Sequence, residues 1–147
     1  MSVIGRRYKW WLLLLGVGVL LAYLRDPPWL GRVTSGFGRW EQNGAGVRFH
    51  WMGGRASFFV PADAEFLEIP LHALFPPLSS EPFIVDIAVD GRQATQVVLR
   101  DERWVTAKLP IRSPRQARRF RRIDLRANRT WSERSVSVQV GDVTIRH

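Results

Sequence analysis

Apolar residues follow two different patterns along the chain. Residues 10–24 read WWLLLLGVGVLLAYL, an uninterrupted apolar run of 15 residues, whereas from Val47 onward apolar and polar residues alternate in short pieces. A long apolar run is typical of a membrane helix, and alternation with a period of two predicts antiparallel strands that bury one face. The chain is therefore predicted to contain one N-terminal transmembrane helix followed by an all-β domain.

The apolar run is interpreted as an uncleaved anchor over residues 10–25. At 1.5 Å per residue it spans roughly 22 Å, somewhat less than the hydrocarbon layer of roughly 30 Å. Aromatic residues at both ends extend it, and Lys9 and Arg25 reach outward to the headgroups. The alternatives are a buried soluble helix and a removable signal peptide, but a signal peptide needs small residues at its cleavage site, where residues 22–26 read AYLRD.

The charges beside the helix predict its orientation. Residues 1–9 contain three basic residues and no acid, and they are predicted to form a cytoplasmic basic flank. The C-terminal domain then lies outside the cytoplasm, and the expected location is the bacterial inner membrane with a single pass. Residues 26–46 begin with DPP, which bars helix continuation, and are predicted to be a linker with entry loops and at most one short strand.

Residues 47–147 are predicted to form an antiparallel β-sandwich of about eight strands with a jelly-roll-like arrangement. Asp90-Gly91 is a strong signal for a hairpin turn, and Pro70 marks an edge strand or a bulge. Near the C-terminus Gln139 is expected to face solvent. The predicted core consists of large apolar residues in the alternating positions: Phe58, Leu67, Ile69, Val85, Ile87, Val105, Leu125 and Val138.

The first predicted strand of this domain is rich in aromatic residues. Phe49 and Trp51 are expected to face the core, while Arg48 and His50 alternate with them on the outer face. Gly53-Gly54 is then expected to form a turn into the next strand.

The composition removes several classes of catalytic site. The chain has no cysteine, so it has neither disulfides nor thiolate ligands nor cysteine nucleophiles. Its three histidines, His50, His72 and His147, have no second ligand at metal-binding spacing, and no pair of carboxylates forms an evident catalytic couple. We therefore predict a protein that is not an enzyme and that uses no cofactor and no metal.

Arginine dominates the charge of the chain. The formal net charge is +9, from 22 basic and 13 acidic residues, and residues 112–129 hold eight arginines with one acid. Such a cluster is either a solvated face or a surface that meets lipid phosphates or acidic glycans, because guanidinium binds these anions in a bidentate manner. The predicted orientation outside the cytoplasm argues against nucleic acid as a partner.

Several short motifs resemble a bacterial β-sandwich domain that accompanies membrane glycosyltransferases and single-pass envelope proteins. They occupy residues 49–56 (FHWMGGRA), 60–61, 67–69, 89–92, 129–131 and 138–143. The resemblance implies a sandwich similar to carbohydrate-binding modules, placed outside the cytoplasm and associated with envelope glycan. The chain lacks the many membrane helices and the acidic catalytic loop of the transferases, and residues 132–134 depart from the proline-containing loop expected after the tryptophan.

Two groups of residues are predicted to contact a ligand. Arg129 and Trp131 are two positions apart, so on an extended chain the guanidinium of Arg129 would lie beside the indole of Trp131. Arg48, His50 and Arg55 are predicted to form a second patch. The alternative for the first pair is an arginine that stacks on tryptophan only to hold a loop.

The expected function is that of a non-enzymatic, membrane-anchored accessory protein. Its sandwich would bind envelope glycan or glycolipid, and its N-terminal helix would contact membrane lipid. The alternative is a structural or assembly subunit that docks onto a membrane glycosyltransferase or an envelope complex. An exposed aromatic site would favour the first function, whereas a flat apolar patch would favour the second.

Overall fold

The computed structural model describes residues 4–74, 81–112, 118–130 and 137–147. Within them a helix, α1 (Ile4–Arg25), and a short 3₁₀ helix (Leu30–Arg32) precede nine strands rather than the eight predicted. The prediction of an antiparallel β-sandwich preceded by one apolar helix is confirmed. The strands are β1 (Thr34–Gln42), β2 (Arg48–Pro61), β3 (Phe66–His72), β4 (Phe83–Val89), β5 (Arg92–Leu99), β6 (Val105–Pro110), β7 (Phe120–Ala127), β8 (Val138–Gly141) and β9 (Thr144–Arg146).

Helix α1 projects its apolar side chains outward. From Tyr8 onward they are exposed, and the segment Tyr8–Arg32 is long and apolar enough to cross a membrane. The chain after the helix is fastened to the sandwich, because the Asp26 carboxylate accepts a hydrogen bond of 2.5 Å from the Arg119 backbone N–H. Gly31 lies so close to Phe120 that a Cβ there would be 2.6 Å from the ring.

Strand β2 connects the two halves of the curled sheet. Its C-terminal part, residues 55–61, pairs with β7, and its N-terminal part, residues 49–52, pairs with β8. The β7 half consists of β5, β4, β7 and residues 55–61 of β2. The β8 half consists of residues 49–52 of β2 with β8, β3 and β6. The predicted turn at Gly53-Gly54 is wrong, since these glycines continue β2 where it changes partner, and a Cβ on Gly54 would lie 3.2 Å from the Thr130 methyl group.

Strand β1 lies inside the range predicted as linker and entry loops. It pairs with β2 from Thr34 opposite Phe58 to Gln42 opposite Arg48, with two shifts of register between. Eight of its nine residues are exposed. The sequence pattern did not predict this strand, because an exposed strand interrupted by glycines has no buried face and therefore shows no alternation of apolar and polar residues.

The predicted phase of residues 48–52 is wrong. Met52 and Phe58 belong to the core cluster, so the even-numbered face of β2 is the inner face, and Phe49 and Trp51 lie on the outer one. Aromatic rings occur on both faces here, so hydrophobicity alone could not select the inner face. The predicted core is otherwise confirmed: Phe58, Leu67, Ile69, Val85, Ile87, Leu125 and Val138 are buried, and Val105 is half-buried against them.

The local features predicted at Asp90-Gly91 and at Pro70 have different outcomes. The hairpin at Asp90-Gly91 is confirmed, since both residues have positive φ angles, 50° and 76°, and join β4 to β5. Pro70 is not on an edge, because β3 pairs with β6 on one side and with β9 and then β8 on the other. Pro70 lies between the residues that pair with β9 and those that pair with β8, a position suited to a residue without an N–H. Gln139, predicted to face solvent, is buried.

Candidate functional site

The structure separates the residues that the sequence grouped as ligand contacts. Arg48 and His50 lie together at the start of β2, while Arg55 lies seven residues further along the same strand, roughly 23 Å away. Arg129 lies after β7, and Trp131 falls outside the described residues.

Arg48 and His50 belong to a column of planar side chains at the junction of β1 and β2. The guanidinium of Arg48 lies 5.0 Å from the ring centroid of Trp40, and Trp40 stacks on His50 at 4.1 Å with an angle of 15°. On its other face His50 stacks on Phe37 at 4.1 Å and 7°. Phe37 in turn contacts Phe58 of the core at 6.3 Å. We call Phe58, Phe37, His50, Trp40 and Arg48 the aromatic column.

The register of β1 against β2 builds this column. Trp40 is paired directly with His50, and Gln42 with Arg48, so side chains of both strands project from the same face. A close approach of β1 to β2 requires Gly36, which has a φ of 77° and whose Cβ would lie 2.0 Å from the Arg55 carbonyl oxygen. The column thus runs from the core to the surface, where Trp40 is 47% exposed.

The column carries its charge at the outer end. Burial lowers the pKa of His50 below its ordinary value of 6.5, although the carboxylate of Asp142 acts in the opposite direction. His50 is therefore mainly uncharged near pH 7, and the guanidinium of Arg48 is the cation of the column. Its planar fork can bind a carboxylate or a phosphate in a bidentate manner, while the exposed part of Trp40 offers an apolar surface beside it.

Trp40 and Phe37 were not predicted as members of the site. Both lie in β1, which contains two glycines and falls in the range predicted as entry loops with at most one short strand. A signal was nevertheless present in the sequence. Two aromatic residues, Phe37 and Trp40, precede the aromatic start of β2, and aromatic residues on neighbouring strands often form cross-strand pairs.

Arg129 fastens a segment of the chain to the start of β4. Its guanidinium lies 4.3 Å from the ring centroid of Phe83 and donates hydrogen bonds to the backbone carbonyl and the carboxylate of Glu81. The neighbouring Asn128 accepts a hydrogen bond of 3.0 Å from the Ile84 backbone N–H. Arg129 thus contacts Phe83 and Glu81, whereas the predicted contact with Trp131 falls outside the described residues.

Arg55 lines an open cavity on the β7 half. It is paired directly with Arg126, and acidic residues share the cavity: Asp124 lies 2.8 Å from Arg122, and Asp86 accepts a hydrogen bond from Gln96. The predicted second patch of Arg48, His50 and Arg55 is therefore not one continuous surface. Among the described residues, no group of three His, Asp or Glu side chains could hold a metal ion.

Comparisons with known proteins agree with the fold. No family model and no curated protein matches the chain. A family two carbohydrate esterase from Clostridium thermocellum, solved with cellohexaose, is similar at a TM-score of 0.50 and 14% identity, over 78% of this chain and 31% of that one. The ZmpB catalytic domain with CBM51-1 and CBM51-2 from Clostridium perfringens gives 0.51 and 14%, over 78% and 14%.

Isolated carbohydrate-binding modules are also among the similar structures. The CBM36-1 domain of a xylanase from the hindgut metagenome of Trinervitermes trinervoides has a TM-score of 0.47 and 8% identity, over 76% of this chain and 89% of that domain. This chain spans less than a third of the length of the esterase and ZmpB chains. The esterase and ZmpB structures, at TM-scores of 0.50 and 0.51, confirm the predicted resemblance to a carbohydrate-binding-module-like β-sandwich at the level of the fold.

Proposed function

We propose that the chain is a non-enzymatic, single-pass protein of the bacterial inner membrane whose sandwich binds an anionic envelope glycan or glycolipid headgroup. In this proposal residues 1–9 are cytoplasmic and residues 10–25 cross the bilayer. Residues 26–33 connect the helix to an extracytoplasmic sandwich that begins with β1 instead of at residue 47. The basic flank and the exposed apolar surface of α1 support this arrangement.

One observation carries the functional part of the proposal, namely the outer end of the aromatic column. The Arg48 guanidinium is held over the indole of Trp40, which is itself fixed by stacking on His50. A cation that is positioned before binding loses less side-chain entropy when it meets an anion. An acidic or phosphorylated sugar would pair its anion with Arg48 and place its C–H groups against the exposed edge of Trp40, since His50 and Arg48 cover the two faces of the indole.

The experiment measures sugar binding by the full chain in nanodiscs made of uncharged phosphatidylcholine. The probes are glucuronic acid and glucose 1-phosphate, with glucose as the uncharged comparison. We expect the charged probes to bind more tightly than glucose, and Arg48→Ala to weaken their binding about tenfold, which is the loss of about 1.4 kcal/mol for a charge-assisted hydrogen bond.

Arg39→Ala is the matched control. Arg39 is an exposed arginine of β1 next to Trp40, and it is not a member of the aromatic column. Its substitution removes the same charge from the same strand and should leave binding unchanged. Equal losses in both variants would mean that only the overall positive charge matters, and the proposed site would then be wrong.

The second candidate function, a subunit that docks onto a membrane glycosyltransferase, is favoured by the exposed strand β1. Among the described residues β1 pairs with β2 alone, so its other edge offers N–H and C=O groups to a strand of a partner. A photo-crosslinking residue placed at Glu41 would form adducts with a membrane glycosyltransferase in native membranes if this function holds. Absence of such adducts would favour glycan binding.

A further inference from the structure

The outer face of the β8 half carries a second group of aromatic and polar side chains. Trp51 on β2 is paired directly with Gln139 on β8, and Gln139 is paired directly with His72 on β3. Directly paired residues of antiparallel strands project to the same face, so these three side chains form a row across three strands. At about 4.8 Å per strand, the row places Trp51 and His72 about 10 Å apart at their Cα atoms.

A second indole lies at the far end of the row. Trp104 stacks on His72 with ring centroids 5.0 Å apart and an angle of 27°, and His72 Nε2 donates a hydrogen bond of 2.8 Å to the Glu102 carbonyl. Trp104 also lies over the backbone of Gly141, where a Cβ would come 3.4 Å from the indole. The indole therefore packs on the strand β8, and the stacked histidine fixes its plane.

The first indole is equally supported. Phe49 meets Trp51 edge to face, with centroids 6.1 Å apart and an angle of 89°. Phe49 is buried, whereas Trp51 and Trp104 are each half-buried, so both indoles keep part of their surface for a ligand. The row therefore has a half-buried indole at each end.

Gln139 lies between the two indoles and is 7% exposed. Its side-chain amide makes no hydrogen bond with any residue in the described part of the chain, in contrast with Gln42 and Gln96, whose amides are bonded. The amide is not among the fully buried side-chain groups that lack a partner, so it keeps a small contact with solvent. An external partner can therefore bond to it without displacing a hydrogen bond of the protein.

We propose that Trp51, Gln139 and Trp104 form a binding site for an uncharged sugar ring. The C–H groups of the ring would pack on the indoles, and the amide of Gln139 would donate to one hydroxyl and accept from another. No member of the row carries a fixed charge, which favours neutral sugars over acidic ones. Trp51 and His50 are neighbours on β2 and project to opposite faces, so this site is separate from the aromatic column.

The test follows the indole N–H signals of the full chain in phosphatidylcholine nanodiscs by NMR. The probes are cellotriose, chitotriose and maltotriose. We expect at least one of them to shift the signals of Trp51 and Trp104 while the signal of Trp40 stays in place. If none of the three shifts these two signals, the proposal is wrong.

Gln139→Leu separates binding from structural support. Leucine has a similar volume and needs no hydrogen bond, so the melting temperature should stay equal or rise, while trisaccharide binding should weaken about tenfold. Gln96→Leu, on the β7 half, is the matched control and should leave trisaccharide binding unchanged. A Gln139→Leu variant that binds as tightly as the parent, or that unfolds, would overturn the assignment.

Arg48→Ala distinguishes this site from the anionic site. It should leave trisaccharide binding intact, and Gln139→Leu should leave glucuronic acid and glucose 1-phosphate binding intact. Loss of trisaccharide binding on Arg48→Ala would contradict a second, separate site. The proposals for the two sites can therefore be refuted independently of each other.

Discussion

Asp90 and Arg121 hold the β4–β5 hairpin against β7. Arg121 Nε donates to Asp90 Oδ2 at 2.5 Å, and the other carboxylate oxygen accepts a hydrogen bond of 3.0 Å from the Arg122 backbone N–H. The Arg121 guanidinium also donates to the Arg112 carbonyl. The side chain of Arg121 is only 10% exposed and that of Asp90 34%, so the guanidinium is removed from water while the carboxylate keeps part of its contact with it.

Asp90→Asn is the informative perturbation of this pair. Asparagine tolerates the positive φ of 50° at this turn, so the backbone stays unstrained while the negative charge is lost. A hydrogen bond to a charged group contributes about 1.5–3 kcal/mol, and breaking a fully buried ion pair costs about 3–5 kcal/mol. Because Asp90 keeps contact with solvent and asparagine can still accept one hydrogen bond, we expect a loss of about 2 kcal/mol.

The assay is thermal unfolding of the full chain in detergent, followed by near-ultraviolet circular dichroism. For a domain of this size a loss of about 2 kcal/mol lowers Tm by roughly 10 °C. Asp101→Asn is the matched control, because Asp101 pairs with Arg103 at 2.6 Å at a site where the side chains are 45% and 86% exposed. Exposed ion pairs contribute little, so its Tm should hardly change. Equal shifts in the two variants would refute the argument from burial.

Three further predictions concern the core, the column and the topology. Ile87→Asp should abolish folding, measured as loss of the β signal in circular dichroism, because Ile87 is fully buried and the carboxylate would have no partner there. Because burial lowers the pKa of His50 below 6.5, the unfolded chain binds this proton more readily. Stability should therefore fall as the pH drops below about 6.5, and less so in His50→Gln, as measured by chemical unfolding at several pH values. A reporter that is active only outside the cytoplasm, fused after His147, should be active.

The fold was predictable where strands bury one face only. The alternation around Leu67, Ile87 and Leu125 gave the correct inner face, and Asp90-Gly91 gave the correct hairpin, since turn chemistry and burial are local properties. β1 was not predictable by the same means, because it lies on the surface and its pairing with β2 is set by long-range contacts.

The candidate site was predictable only in part. Arg48 and His50 were expected on the outer face of the strand and lie on the inner one, at the end of the core. Their partner Trp40 comes from β1, so the column could not be assembled without the register of the two strands. Gln139 was missed because β8 is buried on both faces, which an alternating pattern does not reveal.

Binding of an anionic sugar at the aromatic column is tested most directly by the tryptophan signals themselves. The chain has seven tryptophans, of which Trp10 and Trp11 lie in α1 and serve as internal controls. On titration of the full chain in nanodiscs with glucose 1-phosphate, the account predicts that the indole N–H signal of Trp40 shifts progressively and saturates, while those of Trp10 and Trp11 stay in place. A titration in which the Trp40 signal does not move at saturating ligand would contradict the account.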